Sequence, residues 1–346
     1  MPITATQVHR RRFLAGTGAL AAAFVSRGAA AAKVELTVAH GSPIRHVISA
    51  QGVEPWMARV KQLTNDEVAF KYFPAGQIAP LPELLASLQS GVADVVPVPV
   101  GYVSDKMPLN GVSMLPGLGT TSKAIVTAHA RALAEKGPLA DEFAVNKGVP
   151  FWVMAFPPYQ IVSMAAPLRK LADFRGKVIR SAGGSMNLVI AALGGSPAEI
   201  PVGDMYVALE RGTATATISA LSSLKPYKVH EIMKAASTNG AFGTFVNIMA
   251  CNTDKWAKLP ADIQKAMVQA GRDVQASAAA FMDKEVGELR DEFAKMGKAM
   301  YEFSAEEAAA INGKLAGVHD DWTRRLDRRK LPASDVLARF RTLSAS

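Results

Sequence analysis

The chain has 346 residues, 49% hydrophobic and 20% charged, an ordinary globular composition with enough apolar material for a large core spread over two or three lobes. Its one cysteine, Cys251, excludes an intramolecular disulfide and a cysteine metal cluster and reads as a small buried hydrophobe. The formal charge of +9 falls to about +5 without residues 1–31, which hold four arginines and no acid, and no later basic run interleaves with aromatics, so nucleic acid is excluded as a partner.

The first segment has the order of an export signal. Arg10, Arg11 and Arg12 precede an uncharged, Ala-rich run from Phe13 to Ser26, and the small residues Ala29 to Ala32 follow as a cleavage region. The run is about fourteen residues, short of the roughly twenty that a spanning helix needs. Arg10-Arg11-Arg12-Phe13-Leu14 resembles the twin-arginine signature, with His9 in place of its usual Ser or Thr; a Sec signal is the alternative. Nothing after Ala32 reads as transmembrane, and the expected location is the periplasm.

Lys33 to Ala39 alternates polar and apolar residues as a strand does, and His40-Gly41-Ser42-Pro43 ends it. Val47, Ile48, Trp56, Met57, Val60 and Leu63 then recur at helical spacing, before strands over Val68–Phe73 and Gly91–Val96 with a helix at Leu84, Leu85 and Leu88 between them. Such alternation predicts a mainly parallel sheet covered by helices on both faces. A second block repeats it, with strands over 151–156, 160–164, 176–180, 213–218 and 244–251 and helices after Ser185, over Met205–Glu210 and near Tyr227. From Pro260 to about Glu302 helix formers run without an internal proline, a helix of roughly 60 Å that is able to brace two lobes. The tail from Ala305 reads as further amphipathic helices.

No catalytic constellation emerges: the histidines are scattered, with no H-E-x-x-H pair, no G-x-S-x-G elbow and no dinucleotide glycine pattern. Gly183-Gly184-Ser185, between a strand and a helix, is alone a weak anion-loop signal. Three stretches carry a resemblance. Phe73-Pro74-Ala75-Gly76-Gln77-Ile78 with Glu83, Leu84, Leu88, Gly91 and Asp94, then Leu171 to Arg180, then Pro201 to Gly212 resemble the solute receptors of tripartite ATP-independent periplasmic (TRAP) transporters. The similarity extends over roughly residues 33 to 300. It implies two α/β lobes of the periplasmic binding-protein kind with a ligand cleft between them and a long bracing C-terminal helix. It also implies that Arg180 pairs two-pronged with a ligand carboxylate, a role suited to the guanidinium fork. From the residues alone, Arg180 reads rather as an arginine at a strand end that snorkels or pairs with an aspartate; the pattern matched at Asp173, Gly176 and Lys177 turns the reading to the ligand.

Departures from the family pattern bear on the ligand. Some members carry a second cleft arginine twenty positions before the first, where this chain has Gln160, and the segment after Gly212 ends at Ser219 without a carboxylate. A cationic or heavily hydroxylated ligand is thereby disfavoured. Trp152, Phe156, Tyr159 and Phe245 stand near the expected cleft as stacking surfaces or as core. His40, Ser42 and His46 follow the first strand, and Gln77 and Tyr102 follow later ones, at the edge where open α/β sheets bind ligands.

The expected division is an export signal over 1–32, lobe I over 33–155, lobe II over 156–243, a return strand and long interlobe helix over 244–302, and C-terminal helices over 303–346. The ligand-binding candidates are Arg180, Gln160, Tyr159, Phe156, His40, His46, Gln77, Tyr102, Ser219 and Phe245. The expected activity is capture of a small carboxylate and its delivery to integral-membrane TRAP permease subunits, without catalysis, cofactor or metal, by a monomer or weak dimer. The receptor of an ATP-driven importer, or a periplasmic hydrolase or isomerase acting on a carboxylate, is the alternative.

Overall fold

The computed structural model describes residues 34–345, so the export segment lies outside the described residues. The chain opens as β1 (Val34–Ala39), a π-helical turn (Ile48–Val53), α1 (Glu54–Leu63), β2 (Val68–Phe73), α2 (Leu84–Gln89) and β3 (Val95–Pro99). Next come α3 (Ser122–Ala134), α4 (Pro138–Val145) and β4 (Gly148–Ala155). The second run is β5 (Gln160–Ser163), β6 (Val178–Ser181), α5 (Ser185–Ala192), β7 (Ser196–Glu199), α6 (Met205–Glu210), β8 (Ala216–Ser219), α7 (Val229–Ile232) and β9 (Ala235–Ser237). The chain ends with β10 (Val246–Asn252), α8 (Thr253–Lys258), α9 (Ala261–Lys295), β11 (Ala299–Tyr301), α10 (Ala305–Asp327) and α11 (Ala333–Ala345).

The strands form two sheets, ordered β2-β1-β3-β10-β4 and β11-β9-β5-β8-β6-β7. Each has one strand running against the rest, β10 in the first and β5 in the second. This is the two-lobed α/β fold expected from the alternating pattern. Apolar except at Asn247 and Asn252, β10 is buried along its whole length between β3 and β4. The chain passes between sheets three times, over 156–159, over 238–245 and, between β10 and β11, along α9. The first two segments pair with each other: Phe156 N–H donates to Phe245 O (3.1 Å) and Tyr159 N–H to Gly243 O (2.8 Å).

The long helix differs from the expectation at its end. It stops at Lys295 and is about 50 Å long, and 299–301 is a strand paired in parallel with β9. Gly297 takes φ +78°, its N–H donates to Ala294 O and Lys298 N–H donates to Phe293 O, a Schellman stop that helix propensity alone does not reveal. The bracing is real. Ile263, Met267, Ala270, Val274 and Met282 pack in the large core, while Leu289 and Phe293 join a separate cluster with Val162, Met205 and Leu224 in the second lobe. Beyond it, α10 packs on α5 and α11 on α3, so the tail also touches both lobes. Among the described residues no helix is long and apolar enough to cross a membrane.

Candidate functional site

One cavity between the lobes is lined by Ser42, His46, Ile48, Leu81, Tyr102, Phe156, Tyr159, Arg180, Ala182, Val202, Ser219, Ser223, Tyr227, Phe245 and Asn247. The topology explains why these residues meet. Ser42 and His46 follow β1, Tyr102 follows β3, Phe156 follows β4, Ala182 follows β6 and Ser223 follows β8, all at carboxyl ends of strands that run the common way. The two reversed strands contribute from their amino ends, Tyr159 before β5 and Phe245 before β10. The walls leave only about 30 Å³ between them, so a ligand enters when the lobes part, as hinge-closing proteins allow.

Arg180 is 2% exposed on β6. Its Nε donates to Ile200 O at 2.7 Å and its Nη2 to Tyr102 Oη at 3.1 Å. It takes part in none of the ion pairs among the described residues. A guanidinium taken out of water without an anion is costly, and the ordinary remedy is a carboxylate partner. No residue lining the cavity is acidic. Tyr102 Oη also accepts the Val202 N–H at 2.9 Å. With two donors already on its oxygen, the phenol hydrogen of Tyr102 is left to donate elsewhere.

The walls are aromatic. Tyr102 and Phe245 have ring centroids 5.2 Å apart, Phe156 meets Tyr159 edge-on at 5.8 Å, and His46 meets Phe156 at 5.8 Å and Tyr227 at 5.5 Å. Burial, foremost, and then the neighbouring His40 push the His46 pKa down to about 3, so the ring is neutral. Its Nδ1 accepts the Ile48 N–H at 3.3 Å, which leaves the hydrogen on Nε2, 3.2 Å from Ser223 Oγ. This pair has the separation of a nucleophile and its base but the opposite polarity: the ring donates to the serine and has no lone pair there to take its proton. It serves as a hydrogen bond between lobes.

Seven sequence candidates line this cavity: Arg180, Tyr159, Phe156, His46, Tyr102, Ser219 and Phe245. Three do not. His40 faces the interior of its own lobe, where Nε2 meets Tyr72 Oη at 2.7 Å and Nδ1 accepts the Ser42 N–H, which shapes the loop after β1. Gln77 is exposed. Gln160 is consumed by the passage between sheets, donating to Pro158 O and Gly240 O and accepting from Ser237 Oγ and Gly240 N–H. Trp152 is core as well, packed against Gly271 of α9. Sequence reasoning missed Ser223 and Tyr227, although their place just after β8 was a signal of the same kind that found Tyr102.

A family model for bacterial extracellular solute-binding protein, family 7, matches residues 39–325. The chain belongs to that family. A relative, the C4-dicarboxylate-binding periplasmic protein of Rhodobacter capsulatus, is 28% identical over 197 residues, 54% of this chain and 55% of that one. Among solved structures, a marine metagenome TRAP solute-binding protein specific for aromatic acid ligands, in complex with 3-hydroxybenzoate, superposes with TM-score 0.85 at 21% identity, over 90% of this chain and 98% of that one. A TRAP solute-binding protein of Rhodoferax ferrireducens in complex with copurified benzoate gives TM-score 0.84 at 21% identity, over 90% and 97%. The chain thus shares its two-lobed fold with both of these structures.

Proposed function

We propose that this chain is a periplasmic receptor that closes its lobes on a small monocarboxylate with an apolar, aromatic body and delivers it to the integral-membrane subunits of a TRAP transporter. The observation that carries the reading is Arg180, a buried guanidinium without a carboxylate partner, facing a cavity walled by Phe156, Tyr159, Tyr102, Tyr227 and Phe245. The guanidinium supplies charge and a bidentate fork for one carboxylate, and the rings supply the apolar contact that small-molecule sites use. A second carboxylate would be buried there without a cation, at high cost, so the R. capsulatus relative's C4-dicarboxylates are disfavoured and the benzoates of the two structural neighbours favoured. Export through the twin-arginine route is part of the reading and rests on Arg10, Arg11, Phe13 and Leu14.

Native mass spectrometry of freshly purified protein, together with melting curves in a panel of organic acids, tests it. A ligand at a hundredfold excess over its Kd stabilises the protein by about 2.7 kcal/mol. An aromatic monocarboxylate should raise the Tm and a C4-dicarboxylate should not. The absence of a shift with every acid in a broad panel counts against the receptor reading as a whole.

A further inference from the structure

We infer that the ligand carries a hydroxyl on its body, away from its carboxylate, and that Tyr227 recognises it. This rests on the aromatic-monocarboxylate reading and narrows it. The carboxylate end is accounted for by Arg180 and the free hydrogen of Tyr102, yet the cavity holds more polar capacity than one carboxylate needs. Tyr227 Oη is buried and has no hydrogen bond of proper geometry among the described residues, although the Ser42 hydroxyl stands beside it. The carboxamide-bearing Asn247, 5% exposed, stands in the same cavity wall. Both residues line the same cavity as Arg180.

A buried polar atom that lacks a partner is costly, and interlobe sites are where such atoms await a ligand. Tyr227 is not bonded to Arg180. Its ring packs instead on His46, which is tied to Ser223 across the lobes, so its phenol is not spent on the guanidinium and is left for the ligand. A phenol both donates and accepts, as does a hydroxyl, and the two satisfy one another without a second charge. A ligand without the hydroxyl leaves Tyr227 only the poorly aligned Ser42 hydroxyl in the closed state, and sites built around such a bond reject the analogue lacking it.

Titration calorimetry on the purified protein with benzoate and with 2-, 3- and 4-hydroxybenzoate decides the matter. In 2-hydroxybenzoate the hydroxyl lies beside the carboxylate and bonds to it internally, so this isomer is the control for a hydroxyl in the wrong place. For the unaltered protein, 3- or 4-hydroxybenzoate should bind about tenfold to a hundredfold tighter than benzoate, and 2-hydroxybenzoate should show no such gain. In Tyr227→Phe the ratio of the favoured isomer to benzoate should fall to within about threefold of one. An unchanged ratio in Tyr227→Phe, or benzoate as the tightest ligand of the unaltered protein, overturns the inference while leaving the aromatic-acid reading in place. If none of the four acids binds, that reading falls and this one with it.

Discussion

The phenol oxygen of Tyr102, from the first lobe, stands 3.1 Å from Nη2 of Arg180 on β6 of the second, and the same oxygen accepts the Val202 N–H at 2.9 Å. Two donors of the second lobe thus converge on one atom of the first, and that atom's own hydrogen is free to donate to whatever Arg180 binds. Ligand capture and lobe closure are joined there. Tyr102→Phe removes the acceptor for both donors and the donor to the carboxylate. Its affinity for the bound acid should fall by about tenfold or more, from the loss of buried hydrogen bonds to charged groups. Calorimetry measures the loss, and scattering in saturating acid should show a larger open fraction than in the unaltered protein.

Arg180→Ala and Arg180→Lys separate charge from geometry. Alanine leaves the ligand carboxylate buried and unpaired, a change of about 3–5 kcal/mol or roughly two to four decades in Kd. Lysine keeps the charge but loses the fork and should recover only part of it. Without ligand, Arg180→Ala should melt near the parent, because removing an uncompensated buried charge offsets the bonds lost to Ile200 O and Tyr102 Oη. Binding by Arg180→Ala within threefold of the parent, or its outright unfolding, would show the arginine to be structural.

Much of this was legible in the residues. The alternation of 2-residue and 3.6-residue periods implies the α/β architecture, and the strand-end rule points to Ser42, His46 and Tyr102, which line the cavity, as well as to His40 and Gln77, which do not. Where the reading failed, the deciding contacts are long-range. His40 and His46 are indistinguishable in sequence, but Tyr72 on the neighbouring strand captures the first and Ser223, 177 positions away, meets the second. Gln160 was placed by counting back from Arg180, whereas its amide is used up by Gly240 of the other crossing segment, a pairing no local pattern records. The short β7 and β9 are not legible, because strands of three or four residues are too brief to show a period.

The brace of the lobes depends on a close approach at Gly271. A Cβ there would lie 2.6 Å from Cδ1 and 2.8 Å from Cβ of Trp152, near the root of a side chain that is itself core. Alanine is favoured over glycine in a helix by about 1 kcal/mol, but overpacking a core costs about 1–3 kcal/mol. Gly271→Ala should therefore lower the Tm, and the loss should shrink in the Trp152→Leu background. A rise in Tm would show that α9 shifts freely.

Export is tested in cells. Replacing Arg10 and Arg11 with lysines keeps the charge of the first segment but removes the paired guanidinium groups on which the twin-arginine resemblance rests. Unprocessed precursor should accumulate in the cytoplasm of such a strain. Normal processing and release from the periplasm would point to the Sec route.

Acid should loosen the molecule through its buried histidines. Burial lowers the pKa of His40 to about 4 and that of His129 to about 3, and burial together with His40 lowers that of His46 to about 3. In the unfolded chain each titrates near its ordinary value of 6.5. Between those limits the unfolded chain binds more protons than the folded one, so stability rises with pH across the window. The histidine contribution is therefore fully present above about pH 6.5 and is lost progressively as pH falls toward 3. His129 is the cleanest probe, since it lies outside the cavity, bonded to Ser113 Oγ and Asn110 Oδ1. The Tm should be flat above pH 7 and decline below pH 6, and His129→Gln, whatever its own cost, should decline less steeply by about one proton. An equal slope in the variant would show that carboxylates, and not this histidine, set the acid limit.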